Sequence, residues 1–167
     1  VTNPNTSAAP TSYIPTENEW YKAAYYSPEK GGVGVPGYYA YATQSDSDPG
    51  NIIGSGANQA NYFTGAGFSV TQSGGYDGNQ NYLTDVGAFT NSESFYGTFD
   101  QSGNVYQWND LDGLAASGSS RGLRGGGWNG SAFGLSSSIG GTSDPSDELD
   151  DIGFRLASPV PVPEPST

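Results

Sequence analysis

The sequence predicts an irregular α+β domain with short strands, one helix and long glycine-rich loops. Three observations indicate this class: 26 glycines with 11 prolines, twelve tyrosines with three tryptophans, and only five lysines and arginines in total. Aromatic side chains bury large areas, so they can form a core that contains few aliphatic residues. Abundant glycine and a shortage of strong helix formers disfavour long helices. The length of 167 residues is enough for one domain.

A capping box marks the start of the predicted helix. Glu19 follows Thr16 by three residues, which is the S/T-x-x-E pattern of a helix N-terminus. Apolar residues then recur at helical spacing until Pro28, which cannot continue a helix. The pattern therefore predicts a helix over about residues 17–26.

Short glycine-rich or tyrosine-rich runs predict the strands, which are expected at 37–43, 81–89, the end of 96–108, 121–128 and 152–157. The segments between them are predicted as loops with little regular structure at 51–80 and 109–120, and residues 131–151 are polar. The chain divides into a flexible polar arm at 1–12, one domain at 13–157 and an extended proline-rich tail at 158–167.

The charge balance excludes two classes of partner. The net charge is −12, from 17 acidic and 5 basic residues, and the basic residues form no run. Phosphate-rich nucleic acids and anionic membrane surfaces both require clustered cations, so we expect neither as a partner. A divalent cation is the partner that this balance favours.

The composition also excludes most catalytic sites. The chain contains no cysteine and no histidine, so disulfides, zinc or copper sites built on those residues and histidine general bases are ruled out. The pairs Asp110/Asp112 and Asp147/Asp150 have no spacing that indicates catalysis, and we interpret them as solvated loop acids. No apolar stretch has the length of a membrane span.

Five segments, in order along the chain, resemble the formylglycine-generating enzyme or sulfatase-modifying factor family. They are 14–20 with Lys22-Ala23-Ala24, 86–89, 96–97 with 103–108, 123–128 and 153–157. The resemblance implies a compact, irregular fold related to C-type lectins. It covers the later part of the family domain, because members usually carry further strands and a helix before the segment at Pro15. We therefore expect that an earlier half was cut away or comes from another chain.

The end of the sequence has a second resemblance. Residues 162–167, Val-Pro-Glu-Pro-Ser-Thr, are similar to the sorting motif of PEP-CTERM proteins. In that family a hydrophobic helix and a basic tail follow the motif and are removed during export. The chain stops after the motif, starts at Val1 and contains no methionine. These features predict a processed, secreted bacterial protein, and the alternative is a proline-rich frayed end.

The family resemblance implies two calcium sites. The first would use Asp100, Gly103, Val105 and Gln107, and the second Asn61, Tyr62, Asp77 and Asn79. Calcium binds six to eight oxygen ligands in flexible geometry, which carboxylates, amides and loop carbonyls can supply. The family has an acid where Gln107 stands and usually a neutral residue at Asp100. The alternative is that Asp100 and Asn104 simply cap a turn.

Other polar and aromatic residues have structural and functional interpretations. The acidic clusters Asp46/Asp48 and Asp144–Asp151 could hold calcium between chains, although solvated loops are the favoured interpretation. We expect the three tryptophans, Trp20, Trp108 and Trp128, to lie in the core rather than to form sugar-stacking platforms. Arg124 and Arg155 are expected to pair with carboxylates, because a buried guanidinium needs a partner.

The absent residues decide the predicted function. Family enzymes use a cysteine pair with copper, and a related branch uses histidines with iron, so this chain is predicted not to be an enzyme. We expect a non-catalytic, calcium-stabilised structural protein of the cell surface or extracellular matrix, which self-associates into a homopolymer. Its arm and tail could lie along a neighbour's sheet edge. The alternative is a lectin-like binding module for polysaccharide or protein ligands, as the many tyrosines, asparagines and serines indicate.

Overall fold

The computed structural model describes residues 11–116 and 118–159. Most of the predicted arm and the predicted sorting motif at 162–167 therefore lie outside the described residues. Within those two ranges, no helix has both the length and the apolar character needed to cross a bilayer.

A four-stranded sheet and one long helix organise the chain. The elements are α1 (Glu17–Tyr25), β1 (Tyr26–Ser27), β2 (Gly37–Tyr38), β3 (Gly54–Ala57), β4 (Phe89–Asn91), β5 (Tyr106–Asn109), β6 (Arg121–Arg124), α2 (Ala132–Leu135), β7 (Gly141–Ser143) and β8 (Ile152–Gly153). The main sheet has the order β7-β6-β5-β8, in which β6 is antiparallel to both β5 and β7 and β8 is parallel to β5. Two small sheets pair β1 with β2 and β3 with β4.

Helix α1 begins where the sequence predicts and ends one residue earlier. Both capping-box bonds are present: the Thr16 N–H donates to Oε2 of Glu19 at 2.8 Å, and the Glu19 N–H donates to Oγ1 of Thr16 at 3.4 Å. Trp20, Ala24 and Tyr25 form the buried face. The prediction of this helix is confirmed.

The capping box should make stability depend on acid pH. Burial opposes ionisation of Glu19, but hydrogen bonds from the Thr16 backbone and hydroxyl and from the Tyr13 hydroxyl outweigh it and lower the pKa. A lowered folded-state pKa adds stability above the ordinary value near 4.5, which is lost as the pH falls through the folded value. We expect Thr16→Ala to cost about 1 kcal/mol in urea unfolding at pH 7 and to weaken this acid dependence.

Thr90→Ala is the matched control, because Thr90 is exposed on β4 and caps no helix. Its free energy of unfolding should equal that of the parent protein at pH 7 and should fall in the same way as the pH is lowered. Equal losses for the two threonine variants at pH 7 would contradict the role of the cap.

The strands are shorter than predicted, and some predicted loops contain regular structure. Of the predicted strands, 121–128 contains β6, 152–157 contains β8, and 81–89 holds only the first residue of β4. The prediction of loop structure was wrong at 54–57, where β3 lies, and the polar segment 131–151 contains α2 and β7. Strand β3 is Gly-Ser-Gly-Ala, so no side-chain pattern distinguishes it from a loop, and only its pairing with β4 defines it.

Aromatic side chains form the core, as the composition predicts. Trp20 and Tyr25 pack with Ala24 and Ala42 in one cluster. The second cluster contains Tyr41, Ala60, Tyr62 and Leu135, and the third contains Phe68, Tyr82 and Trp128. The predicted core positions of Trp20 and Trp128 are confirmed, whereas Trp108 is only half-buried.

Candidate binding cavity and predicted calcium loops

A cavity of about 500 Å³ lies between the segment before α1 and strands β5 and β6. Four of its lining side chains are large and apolar or aromatic: Tyr13, Ile14, Trp108 and Phe154. The remaining lining residues are Thr16, Glu19, Asn109, Asp110, Gly113, Arg121 and Pro145. Phe154 is 65% exposed, so one wall of the cavity is an aromatic ring open to solvent.

Each charged group of the cavity has a hydrogen-bonding partner within the protein. Nε of Arg121 lies 2.8 Å from Oδ1 of Asp110, and Nη1 of Arg121 donates to the Ser119 carbonyl at 2.8 Å. The Tyr13 hydroxyl donates to Oε1 of Glu19 at 2.8 Å. These contacts satisfy the charges internally, so apolar contact is the main interaction that the cavity offers to a ligand.

Asn109 supplies one unpaired donor beside these walls. Its side chain is fully buried, and its Oδ1 accepts the Leu111 N–H at 3.1 Å, which fixes the oxygen end of the amide. Nδ2 is buried and has no hydrogen-bond partner within residues 11–116 and 118–159. A buried donor without an acceptor costs about 1–3 kcal/mol, so an acceptor placed there would be favoured. No sequence pattern pointed to this residue.

The first predicted calcium loop is organised around a guanidinium group. Oε1 of Gln107 accepts hydrogen bonds from Nε1 of Trp20 at 2.9 Å and from Nε of Arg155 at 2.6 Å. Nε2 of Gln107 donates to the Asp100 carbonyl at 2.5 Å. Both lone pairs of the Gln107 oxygen are therefore in use, and a cation already lies in the loop.

The carboxylate of this loop is also engaged. Oδ2 of Asp100 accepts the Gly87 N–H at 2.7 Å. Burial raises the pKa of Asp100, although the Gly87 bond and the Arg155 charge act in the opposite direction. Burial likewise lowers the pKa of Arg155 to about 10, against the attraction of Asp100. Arg155 therefore acts on Asp100 through its charge, while its hydrogen bonds go to Gln107 and the Phe99 carbonyl. Calcium binding at Asp100, Gly103, Val105 and Gln107 stays a prediction.

Gly103 has a steric role in the same loop. Its φ is +81°, and an added Cβ would overlap the main-chain carbonyl oxygen of Asn61. The two segments cross there, because the Asn104 N–H donates to the Asn61 carbonyl at 2.8 Å and the Gly103 N–H donates to the Gly125 carbonyl at 2.7 Å. The structure thus brings Asn61 of the second predicted set against Gly103 of the first.

The second predicted set is divided between the core and the surface. Asn61 is buried and donates from Nδ2 to the Tyr82 carbonyl at 2.9 Å, whereas Asp77 and Asn79 are exposed. Oδ1 of Asp77 accepts the Asn79 N–H at 2.9 Å within its own turn. The Asp77 N–H donates to the Tyr82 hydroxyl at 2.8 Å, so Tyr82 connects both halves of the set. Calcium binding at these residues, with the Tyr62 carbonyl, stays a prediction.

Three residues of the two predicted acidic clusters have local partners. Asp46 pairs with Nζ of Lys30 at 2.9 Å, and Asp48 accepts the Tyr41 hydroxyl at 2.6 Å. Asp144 accepts the Ser146 N–H at 2.9 Å within its own turn. In the part of the chain that the structure describes, no group of three or more carboxylates converges as a metal site would require.

Arg124 pairs as the sequence predicts. Its Nε contacts Oε1 of Glu17, and its guanidinium lies 5.0 Å from the ring centre of Tyr21. Nη1 of Arg124 also donates to the Ser137 and Ile139 carbonyls at 2.9 and 2.7 Å. These bonds tie α1 to the segment after α2, so the structural interpretation of Arg124 is confirmed.

The comparisons with known proteins give the family of this fold. Residues 7–160 match the FGE-sulfatase family, described as the sulfatase-modifying factor enzyme 1-like domain. The chain belongs to this family. No functionally curated protein matches it. The small mixed α/β architecture with short strands is consistent with an FGE-like fold.

Two solved structures show the same fold over most of the chain. Treponema denticola variable protein 1 is 25% identical, with a TM-score of 0.51 over 88% of this chain and 47% of that chain. CarF is 21% identical, with a TM-score of 0.53 over 90% of this chain and 48% of that chain. The FGE-like chain described here spans about half the length of these structures.

The absence of cysteine limits the chemistry that this family member can share with the family's enzymes. The chain has no cysteine, so the cysteine–copper chemistry that the resemblance implied for family enzymes has no ligand among these 167 residues.

Proposed function

We propose that this chain is a non-catalytic, exported structural protein of the cell surface or extracellular matrix that self-associates into a polymer. One observation carries the proposal: an aromatic cavity with internally paired charges opens beside exposed apolar side chains. Phe154 is 65% exposed and Leu156 is 58% exposed next to it. Exposed apolar patches of this kind mark protein interaction sites. A second copy of the chain is the partner that would cover this surface.

Two features of the sequence support the location and the ion. Residues 162–167 resemble the PEP-CTERM sorting motif, and this resemblance supports export from a bacterium. The net charge of −12 opposes association of identical chains, so a divalent cation that neutralises carboxylates would favour the polymer. The candidate calcium ligands are the two predicted sets: Asp100, Gly103, Val105 and Gln107, and Asn61, Tyr62, Asp77 and Asn79.

The first experiment measures the size of the native chain. Sedimentation velocity and negative-stain microscopy should find particles far larger than the 17.3 kDa monomer. Their proportion should increase with calcium at matched ionic strength and decrease when a chelator is added. A monomer at every concentration, with and without calcium, would overturn the proposal.

A pair of matched variants locates the surface. Phe154→Ser removes an exposed ring at the cavity, and Val33→Ser removes a 93% exposed side chain elsewhere. We expect Phe154→Ser to lower the association constant about tenfold, because a phenylalanine contact is lost, and Val33→Ser to leave it unchanged. Equal effects of the two variants would show that self-association does not depend on the cavity.

A stack of aromatic rings supports a second candidate, a lectin-like binding module. Tyr82 and Trp128 are stacked with ring centres 4.9 Å apart, and Tyr76 stacks 5.6 Å from Tyr82. Tyr76 is 65% exposed, so it presents the outer face of this stack. Such a face can stack against a sugar ring, as the C-type-lectin relationship of the fold would imply. Glycan binding by a monomer that Tyr76→Ala abolishes would favour this function over the polymer.

A further inference from the structure

We propose that the aromatic cavity binds the proline-rich tail, residues 160–167, of a second copy of this chain. The inference rests on the self-association proposed above, and it names the segment and the surface that hold one copy to the next.

The cavity walls have the composition that proline-rich segments bind. Tyr13, Trp108 and Phe154 present aromatic surface. Of the charged lining residues, Arg121 pairs with Asp110, and Glu19 accepts the Tyr13 hydroxyl. Extended polyproline segments bind in aromatic-lined grooves, because their fixed backbone loses little entropy when it is captured. A cavity of about 500 Å³ accommodates a few residues of such a chain rather than a whole domain.

The hydrogen-bonding groups also match. Nδ2 of Asn109 is a buried donor with no acceptor in the described ranges. A polyproline chain has no internal hydrogen bonds, so its carbonyl groups are available, and its prolines carry no N–H that would need an acceptor. The tail therefore brings free carbonyl acceptors to a cavity that Asn109 lines, with three of its eight residues lacking an N–H.

This chain contains one segment of that kind. Prolines alternate with other residues through Pro159, Pro161, Pro163 and Pro165. Glu164 is the one charged side chain of residues 160–167. In a molecule with a net charge of −12, such a weakly charged segment meets little repulsion on approaching another copy.

The position of the tail favours a second copy over the same chain. Phe154 lines the cavity, and the Ala157 N–H donates to the carbonyl of Tyr13, another lining residue, at 2.8 Å. Because residue 157 already lies beside the cavity, binding of residues 160–167 in the same cavity would require a sharp reversal of the chain. A residue that precedes proline is restricted to extended backbone, and this pattern disfavours such a reversal. Eight residues of polyproline chain reach about 25 Å, which is enough to meet a neighbouring molecule.

Crosslinking between full-length chains that carry different nitrogen isotopes tests the proposal. A photoreactive phenylalanine analogue replaces Val162, and chains with natural and heavy nitrogen are mixed before irradiation. We expect crosslinks from position 162 to peptides that contain Trp108 or Phe154, including pairs that join the two isotopes. Phe154→Ser, at an exposed position that folding tolerates, should lower the yield about tenfold, and Val33→Ser should not.

Other outcomes would overturn the proposal. Crosslinks to the cavity found only within one isotope would show that each tail occupies its own cavity. Crosslinks to glycan or to other surfaces, with none at the cavity, would show that the tail does not bind there. Large particles without cavity crosslinks would refute tail docking alone, whereas a monomer throughout would refute self-association itself.

Discussion

Replacing Trp20 with alanine is expected to unfold much of the protein, since the loss approaches the whole stability of a small domain. The indole is 1% exposed and packs against Tyr25 with ring centres 5.8 Å apart. Truncating a buried tryptophan costs about 3–5 kcal/mol. Nε1 of Trp20 also donates to Oε1 of Gln107, so the variant removes a donor from a buried amide. Total stabilities are about 5–15 kcal/mol, and urea unfolding followed by circular dichroism measures the loss.

Two further variants separate packing from the hydrogen bond. Trp20→Phe keeps most of the ring but removes the N–H group, so it should lose only about 1 kcal/mol. Trp108→Ala truncates a half-buried tryptophan at the cavity and should cost clearly less than Trp20→Ala. If the two alanine variants had the same midpoint of unfolding, the core role of Trp20 would be wrong.

The local signals in the sequence were sufficient for the helix and the family. The capping box at Thr16 and Glu19 is a contiguous pattern, and both of its bonds form as expected. Trp20 and Trp128 were predicted correctly as core residues, because a tryptophan side chain gains a large free energy when its apolar surface is buried. These features depend on neighbours in the chain or on side-chain type alone.

The features that sequence reasoning missed depend on contacts between distant segments. Strand β3 is defined by its pairing with β4, about 35 residues further along, and its glycines carry no pattern. The sequence placed Asn109 at the start of a predicted loop, whereas it is the last residue of β5, and only the packing around it leaves its amide nitrogen unpaired. Gln107 looked like a calcium ligand with a weakened charge. Nothing in the sequence indicated that its side-chain oxygen would accept a hydrogen bond from Arg155, 48 residues away.

Arg155→Ala should therefore be the second most damaging of these substitutions. Nη2 of Arg155 donates to the Phe99 carbonyl at 2.7 Å, and Nε donates to Oε1 of Gln107 at 2.6 Å. The charge of Arg155 also lowers the pKa of Asp100, against the effect of burial. A hydrogen bond from a charged donor contributes about 1.5–3 kcal/mol, and the variant loses two of them together with the charge that favours ionised Asp100. Urea unfolding at pH 7 measures this loss. Adding Asp100→Asn to the variant should recover part of it, since the unpaired carboxylate is then gone.

The pH dependence of Arg155→Ala provides an independent check. Burial already raises the pKa of Asp100, and loss of the guanidinium should raise it further. A carboxyl with a raised folded-state pKa favours the folded state at low pH, and that contribution is lost as the pH rises through the folded value. The deficit of Arg155→Ala relative to the parent should therefore shrink as the pH is lowered from 7. A constant deficit would mean that Asp100 is not the group left unpaired.

The same variant decides whether calcium can use the first loop. Without Arg155, the Gln107 oxygen regains a lone pair and the Asp100 carboxylate has no cation beside it. With the Gly103 and Val105 carbonyls, these are the oxygen ligands that calcium prefers. Millimolar calcium should then raise the unfolding midpoint of Arg155→Ala more than that of the parent, and magnesium should do so less. The same calcium response in both proteins would place any bound ion elsewhere, with the set around Asp77 as the remaining candidate.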